Sequence, residues 1–160
     1  MDLIELNSLG GSIVLLSYCI CLTPILSSDK GKDWAWAGIS GIIRKIYTIS
    51  MIITAISYIY LVFNMPSTQM ARISFIIFLI GASCWTPALL ATYGFPSSEM
   101  YAYCVIVALC LTSIGALMLL YQIWKQNLSW KYCVTGGIVV FHILLLDNII
   151  WGGRWFLLQN

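Results

Sequence analysis

The chain has 160 residues, of which 61% are hydrophobic and 9% charged, with a formal net charge of +2. A soluble domain normally carries about 25% charged residues. So few charges cannot cover a water-facing surface, and a net charge this small excludes the basic footprint of a nucleic-acid binder. The composition instead predicts a chain solvated by lipid. It is expected to be all-α: a polytopic transmembrane helical bundle of about five spans with short loops, forming one integral-membrane domain over residues 1–160.

Five apolar stretches carry this reading: Gly10–Leu26, Ile46–Phe63, Ile73–Tyr93, Tyr101–Ile123 and Tyr132–Leu157. A hydrocarbon core about 30 Å thick needs roughly 20 apolar helical residues. Spans two to five reach that length; span one is short and carries Pro24 near its end. The apolar residues are consecutive, as in Ile73-Ser-Phe-Ile-Ile-Phe-Leu-Ile80, rather than alternating, which argues against a membrane β-barrel. The N-terminal Met1–Ser8 stretch has two acids and no base, unlike the positive start of a secretory signal.

Between spans one and two, Ser27–Asp33 is followed by Trp34 and Trp36, which suit head-group level, and then by Arg44 and Lys45. A basic side chain costs about 2.5–3.5 kcal/mol at the bilayer centre, so Arg44 and Lys45 belong at the interface. Span two carries a polar stripe, Tyr47, Ser50, Thr54, Ser57 and Tyr58, expected to face the bundle interior. Six of the seven tryptophans fall at expected interfaces: Trp34, Trp36, Trp151 and Trp155 on one side, Trp124 and Trp130 on the other. Lys30, Lys32, Arg44, Lys45 and Arg154 oppose Arg72, Lys125 and Lys131, which favours an external N-terminus and a cytoplasmic C-terminus. Asn127-Leu-Ser129 is a glycosylation sequon on the expected outer side, too near the membrane to be used.

Span three holds the exceptional tryptophan, Trp85, within Gly81-Ala-Ser-Cys-Trp-Thr-Pro87. Pro87 removes a backbone donor and frees the Ser83 carbonyl, and Ser83 and Thr86 are placed to satisfy groups around the bend. Such a bend opens a small cavity or packs against a neighbour; the sequence leaves both open. In span four, Ala108, Thr112 and Ala116 have the spacing that lets helices approach closely, which suits helix packing and assembly.

Span five contains the sole histidine, His142, then Asp147-Asn148 and Trp151-Gly-Gly-Arg154. Ionisable residues inside a membrane mark a pathway or pocket, unless they are neutralised structurally. Asp147 and Arg154 share an α-helical face two turns apart, so their pairing through water or another helix is the structural alternative. His142 and Asp147 lie about 140° apart on an α-helix, which excludes a direct dyad and leaves His142 to bond across helices. The candidate ligand-binding residues are therefore Trp85, Pro87, His142, Asp147, Asn148 and Trp151, between spans three and five.

The six cysteines form no C-x-x-C pair and suit small buried hydrophobes. One histidine and scattered cysteines give no metal site, and no glycine-rich fingerprint or nucleophile elbow implies a cofactor or a catalytic residue. The expected partners are membrane lipids and a lipophilic small molecule bound between spans three and five, without nucleic acid. The alternatives are an assembly subunit that forms a homo-oligomer or joins a membrane complex, and a proton or small-solute transporter using Asp147. A non-enzymatic role is favoured, because one histidine and one aspartate on different faces make no recognisable catalytic site.

Overall fold

The computed structural model describes residues 2–96 and 98–159. Its elements are α1 (Leu3–Leu26), α2 (Asp29–Ala35), α3 (Gly41–Asn64), α4 (Gln69–Gly94), α5 (Glu99–Lys125), α6 (Trp130–Val140), a π-helical segment (Phe141–Gly152) and α7 (Gly153–Gln159), with no strand among the described residues. The last three run on as one fifth span, Trp130–Leu157. Five helices are therefore long and apolar enough to cross a membrane, and the chain is a multi-pass integral membrane protein. Their outer faces agree: on α3, Ile42, Ile46, Ile49, Ile53 and Ile56 are all more than 45% exposed, which only lipid would cover without cost.

Span one is not short. It begins at Leu3 because Asp2 and Glu5 form a capping box, in which Glu5 N–H donates to Asp2 Oδ1 at 2.8 Å and Asp2 N–H to Glu5 Oε2 at 3.0 Å. Pro24 falls in its last turn. Span two likewise starts at Gly41, which puts Arg44 and Lys45 in its opening turns. Asp29, on α2, lies 2.9 Å from Lys32 Nζ, and that cation holds its carboxyl below the usual carboxylate range.

α4 and α5 form the central pair. Ala108, Thr112 and Ala116 are buried against α4, so the small-residue face is occupied within the chain. The sequence reading missed the two glycines that complete it. A Cβ on Gly81 would fall 2.5 Å from Thr112 N, and one on Gly115 would fall 2.5 Å from Phe78 N. α1 packs on α4, where Thr86 Oγ1 donates to Ser17 Oγ at 3.0 Å, while α3 packs on the fifth span. α1 and α3 have far less contact with each other, and a gap remains between them.

Two hydrophobic clusters close the ends of that gap. One gathers Leu3, Leu61, Met65, Phe75 and Leu119 near the start of α1. The other gathers Ile25, Leu89, Val105, Trp151 and Trp155 at the opposite end. Trp151 and Trp155 are 4% and 0% exposed, so they are core residues and not interfacial anchors. Their rings stack at 5.7 Å, and Trp34 packs edge-on to Trp155 at the same separation. Trp124 and Trp130 are exposed, as interfacial residues should be. The cysteines also differ from expectation: Cys21 is buried, but Cys19, Cys84, Cys104, Cys110 and Cys133 face outward, where lipid rather than protein would surround the thiol.

Gly81→Ala and Gly115→Ala should each destabilise the protein by about 1–3 kcal/mol, because backbone blocks the added methyl. Gly137→Ala, with nothing within 4 Å of the new carbon, should be neutral or mildly stabilising. Reversible unfolding in mixed micelles checks this; equal stabilities for all three variants would show that the α4–α5 approach is looser.

Candidate functional site

The gap between α1 and α3 is a cavity of about 700 Å³. Its walls come from α1 and α3, and its floor from α4, α5 and the fifth span. The lining is overwhelmingly apolar; His142 and Asp147 come from the floor, Tyr18, Tyr47 and Thr54 from the facing walls, and Asn7, Ser8, Ser12 and Tyr58 lie toward the start of α1. Near the start of α1 the cavity is bridged by Tyr58, whose hydroxyl donates to Asn7 Oδ1. Asn7 Nδ2 in turn donates to the Leu3 carbonyl at 2.7 Å.

The other end is covered by α2 and the turn that follows it. Ala37, Gly38 and Gly41 all have positive φ, at 51°, 68° and 60°. For Ala37 this left-handed conformation costs roughly 1–2 kcal/mol. It is held by backbone bonds from Ala37 N to Trp34 O and from Gly38 N to Asp33 O. The fifth span adds two clasps: Trp151 Nε1 donates to the Ala35 carbonyl at 2.8 Å, and Arg154 Nε to the Ala37 carbonyl at 3.3 Å. Arg44 lies over the Trp36 ring at 5.2 Å and donates to the Ile39 carbonyl at 2.8 Å. These contacts fix Ala35 and Trp36 against the cavity.

The π-helical segment overturns one sequence expectation. A ladder of i→i+5 bonds widens each turn, so residues five apart stack instead of diverging by 140°. His142 Nε2 consequently lies 3.5 Å from Asp147 Oδ1. The two residues do meet on one helix, although at the outer limit of a hydrogen bond. Asp147 also accepts a hydrogen bond from the Tyr47 hydroxyl of α3. The other face of the imidazole is held by Ser50, with Nδ1 and Oγ 2.9 Å apart. His142 therefore bonds across helices as expected, and the polar stripe of α3 supplies the partners. Arg154 does not pair with Asp147, because its guanidinium is committed to the Ala37 carbonyl.

The six sequence-derived candidates separate into two groups. Trp85, His142, Asp147 and Trp151 line the cavity. Trp85 packs edge-on to Tyr18 at 5.7 Å and to Trp151 at 5.4 Å. Asn148 turns away from the cavity and locks the fifth span to α5. Its Nδ2 donates to Ser113 Oγ at 2.7 Å, to the Leu109 carbonyl at 3.2 Å and, within the span, to the Ile143 carbonyl at 3.0 Å. Pro87 is exposed and lies outside the lining. The groups expected to serve its bend act differently: Ser83 Oγ donates to the Ile80 carbonyl at 3.0 Å, and Thr86 bonds α1.

Sequence reasoning missed Tyr18 and Trp36 and gave Tyr47 only a packing role. The stripe of Tyr47, Ser50 and Thr54 was the available signal, but its counterpart on the fifth span becomes visible only with the π register. Thr54 Oγ1 and Trp85 Nε1 belong to lining residues but are themselves buried, and have no hydrogen-bond partner among the described residues. Among the described residues, no group of three or more His, Cys, Asp or Glu comes together to hold a metal ion. Comparison with protein-family models, with curated proteins and with solved structures gives no match.

The Tyr47–Asp147 contact should couple α3 to the fifth span. In a double-mutant cycle of Tyr47→Phe and Asp147→Asn, the interaction energy is expected at about 1–2 kcal/mol. Additive effects of the two substitutions would remove this contact as a tie between the helices.

Proposed function

We propose that this protein binds a small lipophilic molecule or a lipid in the cavity between α1 and α3. One observation carries the reading: an apolar space of about 700 Å³ is met by one cluster of polar contacts, Tyr47 to Asp147 to His142, where α3 faces the fifth span. Ligand sites are typically concave and mostly apolar, with few polar groups that fix orientation. In this arrangement spans three and five contribute Trp85, His142, Asp147 and Trp151 to the floor, while spans one and two supply the walls. Asn148 and Pro87 act outside the pocket.

A proton pathway has one observation in its favour. Ser50, His142, Asp147 and Tyr47 form a continuous polar chain, and Ser50 also lines a second groove on the opposite side, with Cys133 and Phe141. That chain ends in an apolar groove on both sides, which suits a ligand anchor better than a route between aqueous phases. An assembly role draws no support from Ala108, Thr112 and Ala116, whose face is filled by α4.

Dodecanol should stabilise the detergent-solubilised protein saturably, by roughly 2.7 kcal/mol at a hundredfold excess over its dissociation constant. Ala82→Trp, which fills the cavity floor, should abolish that response, and Trp85→Ala should alter it. If both variants keep the full wild-type response, the binding site lies elsewhere or does not exist.

A further inference from the structure

We infer that the ligand is a lipophilic amine, bound as its ammonium ion to Asp147. This rests on the cavity-binding reading above and adds the chemical class of the ligand. Among the described residues of the lining, Asp147 is the sole acidic one, and none is a lysine or arginine. The Asp147 side chain keeps 24% of its surface open although its residue lies within a membrane span. Its contacts inside the protein include no lysine or arginine. Tyr47 donates a neutral hydroxyl, and His142 stands 3.5 Å away with its other ring nitrogen on Ser50. The nearest basic residue along the chain, Arg154, is turned to the Ala37 carbonyl.

A carboxylate in a low-dielectric site attracts a cation far more strongly than one in water. The rest of the lining favours the same charge. Tyr18, Trp36, Tyr47, Trp85 and Trp151 all line this cavity with Asp147, and aromatic faces attract an ammonium group. The alkyl or ring portion of the ligand would lie along the apolar walls of α1 and α3. A fatty acid would set its carboxylate against Asp147, and a neutral alcohol would leave the carboxylate uncompensated.

Four probes of one chain length test this on the intact protein in neutral phosphatidylcholine nanodiscs: dodecylamine, N-acetyldodecylamine, dodecanol and dodecanoate, each titrated by thermal shift. Dodecylamine is expected to bind at least about tenfold more tightly than the other three. Asp147→Asn should remove that advantage, bringing dodecylamine to the affinity of N-acetyldodecylamine. The comparison of dodecylamine with its uncharged acetyl derivative needs no variant, so it decides the matter even if Asp147→Asn does not fold. Equal affinities for the amine and its acetyl derivative, tighter binding of dodecanoate, or an amine advantage that survives Asp147→Asn would each overturn the inference and leave the cavity as a site for neutral or acidic lipids. If none of the four probes shifts the unfolding temperature, cavity binding itself fails, and the inference with it.

Discussion

A carboxylate inside a membrane bundle has to be satisfied, and the arrangement of this protein around Asp147 answers that constraint. Water is absent from the hydrocarbon region, so every partner must come from the protein or from something it binds. One partner comes from α3, as the Tyr47 hydroxyl. Another comes from the same span, as His142, and only because the backbone there follows an i→i+5 ladder over Phe141–Gly152. A π-helix is normally a single-turn bulge and is often found at functional sites. Its extension over 12 residues sets how every side chain of that segment faces the bundle. Asn148 then faces α5 and ties the segment down through Ser113 and Leu109, while Asp147 faces the cavity.

The cavity follows from unequal packing. Glycine and other small residues let α4 and α5 approach backbone to backbone, through Gly81 against Thr112 and Gly115 against Phe78. α1 then lies on α4, and α3 on the fifth span, each held by specific polar contacts: Thr86 to Ser17 for the first pair, and Ser50 to His142 for the second. Neither pairing draws α1 against α3. The Tyr58–Asn7 bond joins these two helices near one end, and the tryptophan cluster with α2 closes the other. The space left between them is bounded at both ends by packed clusters.

The class of fold was legible because it depends on composition and length: five uninterrupted apolar runs admit few other structures. The site was legible only in part. His142 and Asp147 stood out as ionisable residues within a span and Trp85 as a tryptophan away from the interfaces, while Trp151 was expected at an interface; all four line the cavity. Their geometry was not readable, because every inference about facing residues assumed 3.6 residues per turn. That assumption separated His142 from Asp147, which the π register brings together; Arg154, beyond that segment, is drawn to the Ala37 carbonyl. Interfacial tryptophans misled for a related reason. An indole suits a membrane interface and a buried aromatic cluster equally well, and only tertiary packing separates Trp151 and Trp155 from Trp124 and Trp130. The cysteines illustrate the same limit: a small apolar thiol is at home against protein or lipid, so sequence does not fix its direction.

Packed ends and an open side also decide how a ligand would reach the floor. The clasped turn after α2 blocks access along the helix axes at one end, since Trp151 and Arg154 both hold its carbonyls. At the other end Leu3, Leu6, Phe75 and Val62 pack in one cluster. The remaining direction is sideways, between α1 and α3, whose outer residues Leu15, Ile52 and Ile59 are exposed to the lipid phase. A molecule arriving by that route must already be dissolved in the bilayer, which selects for lipophilicity before any contact with Asp147. The selection for charge or hydrogen bonding comes second, at the floor, where Tyr47, His142 and Asp147 meet. For the proposed ligand, two filters in that order would explain why so few polar residues suffice in a cavity that is otherwise hydrocarbon.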